Sequence, residues 1–348
     1  MKGIFHFSPL ARDRWRRFRR IRRAYVSLWL LGGAFALSLL SDFLANDRPL
    51  YVAYGGRHFF PIVKFYPERA FGGRHGTEPD YRALRDDPAF RQAGGRMLFP
   101  PIPYGPARNN LDRATPPPHP PSFTHWLGTD GIARDVLSRL IHGFRLCMLF
   151  ALSLVAVSAV VGIIIGAIQG YAGGKIDITF QRLIEIWSEL PFLYVLILLG
   201  SIYGRGFGML LAVTALFQWI GLSYYMRGEF YRLREQTFVV ASRALGAGHR
   251  RLIFRQILPN ALGPVITILP FTLIAGISTL TALDFLGFGL PPPTPSWGEM
   301  LQQGLRQLYS PWIAFSAVGA LFTTLMLASF IGEGVREVFD PRSKSHYD

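Results

Sequence analysis

The sequence predicts an all-α polytopic membrane protein with six spans and a large polar insert after the first of them. Three observations carry this. Half of the residues are hydrophobic and only 17% are charged, a balance that is ordinary for a membrane protein and unusual for a soluble chain of this size. The apolar residues gather in runs about long enough to cross a bilayer as helices. The arginines lie in short segments beside those runs rather than among exposed aromatics, so the net charge of +15 reads as positive-inside topology rather than nucleic-acid binding.

Residues 1–23 are dominated by Arg12, Arg14, Arg16, Arg17, Arg19, Arg20, Arg22 and Arg23, interleaved with Trp15, Phe18 and Ile21. This amphipathic pattern reads as a cytoplasmic stop lying on anionic headgroups. A nucleic-acid arm is the rival reading. Residues 24–44 form the first span. No signal-peptide cleavage site is clear, so it is expected to be an uncleaved anchor.

Residues 45–145 form the insert and an amphipathic lead-in, on the outer side. The pattern over 51–65 predicts one or two short strands. The stretch TPPPHPPS predicts extended polyproline. The lead-in, 126–145, is expected to be a helix capped by Thr129 or Asp130. The insert reads either as a lid packed on the membrane part or as a docking surface for an outside partner.

The core, 146–337, begins with the second span, 146–168. Gly162, Gly166 and Gly170 recur every fourth residue and predict close helix packing. Gly173, Gly174 and Lys175 look like part of a phosphate loop, but Ile176 stands where Ser or Thr is required. The third span, 183–203, carries Glu185 and Glu189 one turn apart near its inner end. Acids there are costly and expect a partner or a wet cavity. Headgroup-depth pairing with Arg182 is the bland alternative. Pro191 predicts a kink.

The fourth span is 209–226, and an inner loop covers 227–260. The fifth span, 261–283, is broken by Pro264 and Pro270 and carries Thr267, Thr272, Ser278, Thr279 and Thr281, which suits a pathway lining. Glu185, Glu189, Pro191, Thr267, Ser278 and Thr279 are the candidate pathway residues. An outer loop, 284–311, with Pro291, Pro292, Pro293 and Trp297, predicts a rigid interfacial segment. The sixth span, 312–331, and a tail, 338–348, complete the chain with both termini inside.

The inner loop is the organising stretch. Residues 231–245 contain no Gly or Pro and predict a helix, and Gly246 stands where a left-handed C-cap belongs. Residues 249–258 predict a second helix, with Leu252, Ile253, Ile257 and Leu258 on one stripe. Pro259 is expected to stop it and Asn260 to cap the next segment. On charge alone, a loop that merely sets topology is the competing reading.

The spacing Ala241-Ser242-x-x-x-Gly246, then nine residues, then x-x-Leu258-Pro259-Asn260 resembles the "EAA" loop of ABC-type importer permeases. Val240 stands where that pattern has Glu, and Gln256 where the peptide branch usually has His. Three further stretches resemble permeases of the dipeptide/oligopeptide/nickel branch: WLGTDGIARDVLSRLIHGFR, GYAGGKIDITFQRLIEIWSELP with Asp177, Gln181, Arg182, Glu185 and Pro191, and DFLGFGLPPPTPSWGEML. The ending GVREVFDPR is also family-like. The N-terminal RWRRFRRIRRAYVSLWLL and the long insert resemble the Yej-type peptide permeases.

The resemblance implies a type I ABC importer transmembrane domain in the bacterial inner membrane. It implies ATPase coupling through Val240, Ala241, Ser242, Arg243, Leu245, Gly246, Leu258, Pro259 and Asn260. It further implies a second related permease, ATP-binding subunits that carry ATP and Mg, and a periplasmic peptide-binding protein. Oligopeptides or microcin C-like peptides are the implied cargo, with dipeptides or nickel as alternatives. The chain itself is expected to hold no cofactor or metal and to bind no nucleic acid. An enzyme is disfavoured because the eight histidines are scattered and the single cysteine, Cys147, lacks a neighbouring base. A channel or exporter subunit without ATPase coupling is the remaining alternative.

Overall fold

The computed structural model describes residues 9–111 and 115–339. The start of the basic arm, residues 112–114 of the insert and most of the expected tail lie outside the described residues. Helices α1 (Pro9–Arg20) and α2 (Arg22–Leu39) meet at Ile21, and a short α3 (Ser41–Leu44) follows. The expected first span is therefore interrupted at Leu40, and its first turn carries Arg22 and Arg23.

The insert has a small core of its own. Strand β1 (Tyr51–Tyr54) pairs with β2 (Arg57–Phe59) through Gly55 and Gly56, both at positive φ, as a two-residue hairpin that keeps the strand twist requires. After helices α4 (Tyr81–Asp86) and α5 (Pro88–Gln92), strand β3 (Arg96–Leu98) completes an antiparallel sheet in the order β2-β1-β3. Val52, Phe71, Tyr81 and Phe90 are buried together. Asp80 and Asp87 cap the two helices, and Pro88 occupies the first turn of the second. Partial burial pushes the Asp80 carboxyl up, but the Arg108 guanidinium at 2.5 Å outweighs it and holds the group below the usual carboxylate range. The sequence pattern found the first two strands and missed the three-residue β3.

Helix α6 (Val136–Ala172) runs unbroken for 37 residues. Its cap is Asp135, whose Oδ1 accepts from the Ser138 N–H at 2.7 Å, so residues 126–135 are not helical. Thr129 and Asp130 are committed elsewhere: the Thr129 hydroxyl accepts from the His119 N–H, and Asp130 holds Arg134. Gly173 and Gly174, both at positive φ, turn the chain into α7 (Gly174–Ser188). The expected third span is two helices, α7 and α8 (Phe192–Tyr203), bent by 73°. Pro191 cannot donate to the ladder, and here the break is complete rather than a kink.

Helix α9 (Phe207–Arg234) runs well past the expected end at 226. Helices α10 (Thr237–Ala244) and α11 (His249–Arg251) form the loop. A π-helical segment, Leu252–Ile257, then continues directly into α12 (Leu258–Phe285). Pro259 therefore does not stop the helix, and Asn260 does not cap a new one; its Nδ2 donates to the Gln256 carbonyl at 2.7 Å. The wider π turn relieves the clash between a proline ring and the carbonyl four residues earlier. Helices α13 (Trp297–Arg306) and α14 (Pro311–Phe339) end the described chain.

Among the described residues four helices are long and apolar enough to cross a membrane, or five if the bent α7–α8 pair is one span. Helices α6 and α9 form the largest helix pair, α12 packs on both, and α14 lies between α12 and α2. The expected glycine face, Gly162, Gly166 and Gly170, makes the α6–α9 contact.

Ala133 is fully buried with φ +64, the one non-glycine residue at positive φ among the described residues. Its carbonyl accepts from both the backbone and side chain of Asn110. Ala133→Val should lower stability by about 2 kcal/mol or more, because a β-branched residue is an outlier in this conformation. Ala133→Gly should stay close to the parent, since lost packing offsets relieved strain. Thermal unfolding of the detergent-solubilised protein measures both.

Candidate functional site

The α10–α11 region is a protruding helix–glycine–helix tip. Helix α9 ends at Arg234, and Gln236 is extended and starts α10. The expected single helix over 231–245 is thus broken at residues 235 and 236. Gly246 adopts φ +82, and the Ala247 N–H bonds to the Ser242 carbonyl at 3.0 Å. This closes the helix with the left-handed cap that glycine favours. Val239 is the buried residue of α10, packed in a cluster with Phe230, Leu233, Leu252 and Ile257. The rest of the tip faces outward: Val240 is 46% exposed and Leu245 89%, and Ala241, Arg243 and Gly246 are exposed beside them.

Cross-links hold the two arms of the tip. The Gln256 side chain donates to the Ser242 hydroxyl at 2.7 Å, and the Tyr171 hydroxyl meets His249 Nδ1 at 2.6 Å. Pro259 and Asn260 are exposed and Leu258 is half-buried at the base of the second arm. The expected coupling residues are therefore brought together around one tip, with its apolar and basic groups unburied by this chain.

Sequence reasoning missed the anchor beneath the tip. Asp177 on α7 accepts from Arg227 through both carboxylate oxygens at 2.6 Å and from the Tyr231 hydroxyl at 2.6 Å. Arg234 Nη1 donates to the Gly170 carbonyl at 3.1 Å. A bidentate guanidinium–carboxylate pair is both strong and directional, so it fixes the angle at which α9 delivers the tip. The available signal was a lone acid within a basic inner region.

The candidate pathway residues are less concentrated. Glu185 and Glu189 are exposed at the α7–α8 break beside Pro191, and Glu185 pairs with Arg182 at 2.6 Å. Thr267 donates to the Pro264 carbonyl at 2.5 Å, so its hydroxyl serves its own proline-broken helix. Ser278 is exposed and Thr279 half-buried on the far part of α12. Helix α7 packs on α6 and α8 on α9, whereas α12 packs on α6, α9, α13 and α14. The two halves of the set thus sit on different parts of the fold.

At the opposite end of α6, Arg134 and Arg139 are buried between Asp130 and Glu299. Arg134 bonds Asp130 and Glu299 at 2.7 Å each, and Arg139 Nη2 also donates to Glu299. Trp312 Nε1 donates to the Thr129 carbonyl and Trp297 Nε1 to that of Leu140. These bonds clamp the 284–311 loop onto the start of α6.

Residues 162–345 match the family described as "Binding-protein-dependent transport system inner membrane component". The chain belongs to that family of inner-membrane ABC permeases. The "Inner membrane ABC transporter permease protein YejE" of Escherichia coli K12 is 46% identical over 337 residues, 96% of this chain and 98% of the relative. The "Peptidoglycan transport system permease protein YejE" of Agrobacterium fabrum is 42% identical, covering 97% and 94%. The "Oligopeptide transport system permease protein OppC" of Bacillus subtilis is 34% identical, covering 64% of this chain and 73% of the relative. The structure of the MetNI methionine ABC transporter aligns with TM-score 0.45 and 19% identity over 58% of this chain. The Yej-type permeases match along nearly the full length, insert included.

Proposed function

We propose that this chain is a non-catalytic permease subunit of an ATP-driven importer for oligopeptides, microcin C-like peptides among them. It works with a second related permease, partner ATP-binding subunits that carry ATP and Mg, and a periplasmic binding protein that delivers cargo. The observation that carries this reading is the exposed tip formed by α10, Gly246 and α11. The residues Val240, Ala241, Arg243 and Leu245 present apolar and basic surface that this chain leaves uncovered. A groove on the ATPase covers it. ATP-driven closure of the ATPase pair moves the tip, and α9, locked to α7 through Asp177 and Arg227, transmits that movement to the spans.

Two variants test the coupling. Gly246→Pro is incompatible with φ +82, and Arg243→Glu reverses an exposed charge. Both should abolish ATP-driven uptake while the protein remains inserted; normal uptake in both would refute the assignment.

In the orientation proposed here, six spans leave both termini and the tip in the cytoplasm, with 46–125 and 285–310 in the periplasm. Cysteine labelling from the periplasm should reach those two regions and not 231–260. Labelling within 231–260 would invert the topology.

The relative from Agrobacterium, a "Peptidoglycan transport system permease", favours a second cargo, peptides released from peptidoglycan. Stimulation of the assembled transporter's ATPase by oligopeptides, by peptidoglycan peptides, or by nickel separates the three cargoes.

A further inference from the structure

A continuous apolar cleft runs along the outside of the membrane part, and basic side chains stand at one end of it. Its upper part, about 690 Å³, is lined by Arg12, Arg14, Trp15 and Phe18 of α1 and by Val338 and Phe339 of α14. Its lower part, about 400 Å³, lies between α2, α6, α12 and α14, with Leu31, Phe35, Met148 and Leu273 among its walls. Leu28, Ile266, Ile331 and Val335 line both parts, so the two form one groove. From Phe339 back to Ala328 the α14 wall extends about 16 Å at the helical rise.

The chemistry of the two ends differs. The lower walls are apolar throughout: Leu, Ile, Val, Phe, Met, Ala, Pro and Gly. At the upper end, Arg12 and Arg14 are exposed and form no ion pair with a carboxylate among the described residues. Of the neighbouring arginines, Arg17 pairs with Asp13 and Arg23 with Glu333, while Arg16, Arg20 and Arg22 are exposed but do not line the groove. Arg14 is held in place by the Phe339 ring, 4.3 Å below its guanidinium carbon. Trp15 stacks on Phe18 at 5.8 Å, and Phe18 is buried against α14 beside Gly334. Helix α1 is thereby fixed as a roof with two arginines over an apolar slot.

We propose that this groove is a binding site for one anionic phospholipid, its phosphate held by Arg12 and Arg14 and one acyl chain lying along α2, α12 and α14. A membrane-spanning surface meets lipid wherever no protein covers it, and a paired basic end selects a negative headgroup. The bound lipid would join the N-terminal helix to α12, the helix that emerges from the coupling tip. The site is independent of the cargo assigned above.

The test is native mass spectrometry of the detergent-purified full-length chain, titrated with phosphatidylglycerol and phosphatidylcholine. The parent should bind one phosphatidylglycerol about thirtyfold more tightly than phosphatidylcholine, the increment expected for two basic groups at an anionic surface. The double variant R12Q/R14Q should lose that preference, while R250Q/R251Q, at the distant tip, should keep it. Ile331→Trp, which fills the slot and leaves the arginines, should weaken both lipids. Glycerol 3-phosphate should not compete, because it lacks the chain. Retained preference in R12Q/R14Q, equal loss in R250Q/R251Q, or full competition by glycerol 3-phosphate would each overturn the site. So would disulfide trapping of Leu28→Cys with a second permease subunit, which would assign the groove to protein.

Discussion

Glu299→Gln should destabilise the protein by about 3 kcal/mol, because it leaves buried charge without its partner. Arg134 is 2% exposed, and Arg139 and Asp130 are fully buried, while Glu299 reaches the surface with a fifth of its side chain. As built, two guanidiniums face two carboxylates. The substitution keeps the shape of the Glu299 side chain but leaves two buried cations against Asp130 alone. A surface pair provides the contrast. Arg182 and Glu185 sit 2.6 Å apart but are 73% and 51% exposed, so Glu185→Gln should change stability by less than about 0.5 kcal/mol. Thermal unfolding of both variants in the same detergent makes the comparison. A loss at Glu299 no larger than that at Glu185 would show that solvent reaches the cluster. A loss of the expected size would mark the clamp as what holds the 284–311 loop on α6.

That clamp was hidden from the sequence for a plain reason. Arg134 and Arg139 are separated from Glu299 by 165 and 160 residues, and no periodicity links them. Local signals fared differently. The helix–glycine–helix frame was legible because a left-handed cap at Gly246 is a property of a few adjacent residues. The glycine spacing on α6 was legible because one helix face is enough to show it. Rules of element ends failed where tertiary contacts chose among equivalent residues. Thr129, Asp130 and Asp135 are all capping types; His119 takes Thr129 and Arg134 takes Asp130, while Asp135 caps through Oδ1 with its Oδ2 against His125. Pro259 read as a stop because the rule assumes a regular α-helix before it, and the π turn at Leu252–Ile257 removes that assumption. The candidate pathway was the least legible part. Its lining depends on how spans face each other and a second subunit, which hydropathy does not encode.

Gly166→Leu should prevent α6 and α9 from packing and abolish recovery of folded protein. A Cβ at this position would lie 2.4 Å from the Ser223 carbonyl, 2.8 Å from Met226 Cβ and 3.0 Å from the Arg227 N–H nitrogen. Two of those three atoms are backbone, so no rotamer change relieves the clash. A Cβ at Gly170 would lie 2.5 Å from the Arg227 carbonyl oxygen and one at Gly162 3.0 Å from that of Trp219, so the helices approach backbone to backbone at all three glycines. Lipid offers no hydrophobic drive for helix association, so close packing must supply it. Overpacking of this kind costs about 3 kcal/mol, and more where backbone must separate. Gly221→Leu, on the same α9 but with open space around its Cβ position, is the matched control and should be recovered normally. Size-exclusion profiles of fluorescently tagged variants distinguish the two. Gly166→Ala isolates the functional consequence. The smallest separation of α6 from α9 moves Arg227 relative to Asp177 and Arg234 relative to the Gly170 carbonyl. Material that does fold should therefore transport poorly. Normal uptake in Gly166→Ala would mean that the angle between these helices is not what carries movement from the tip.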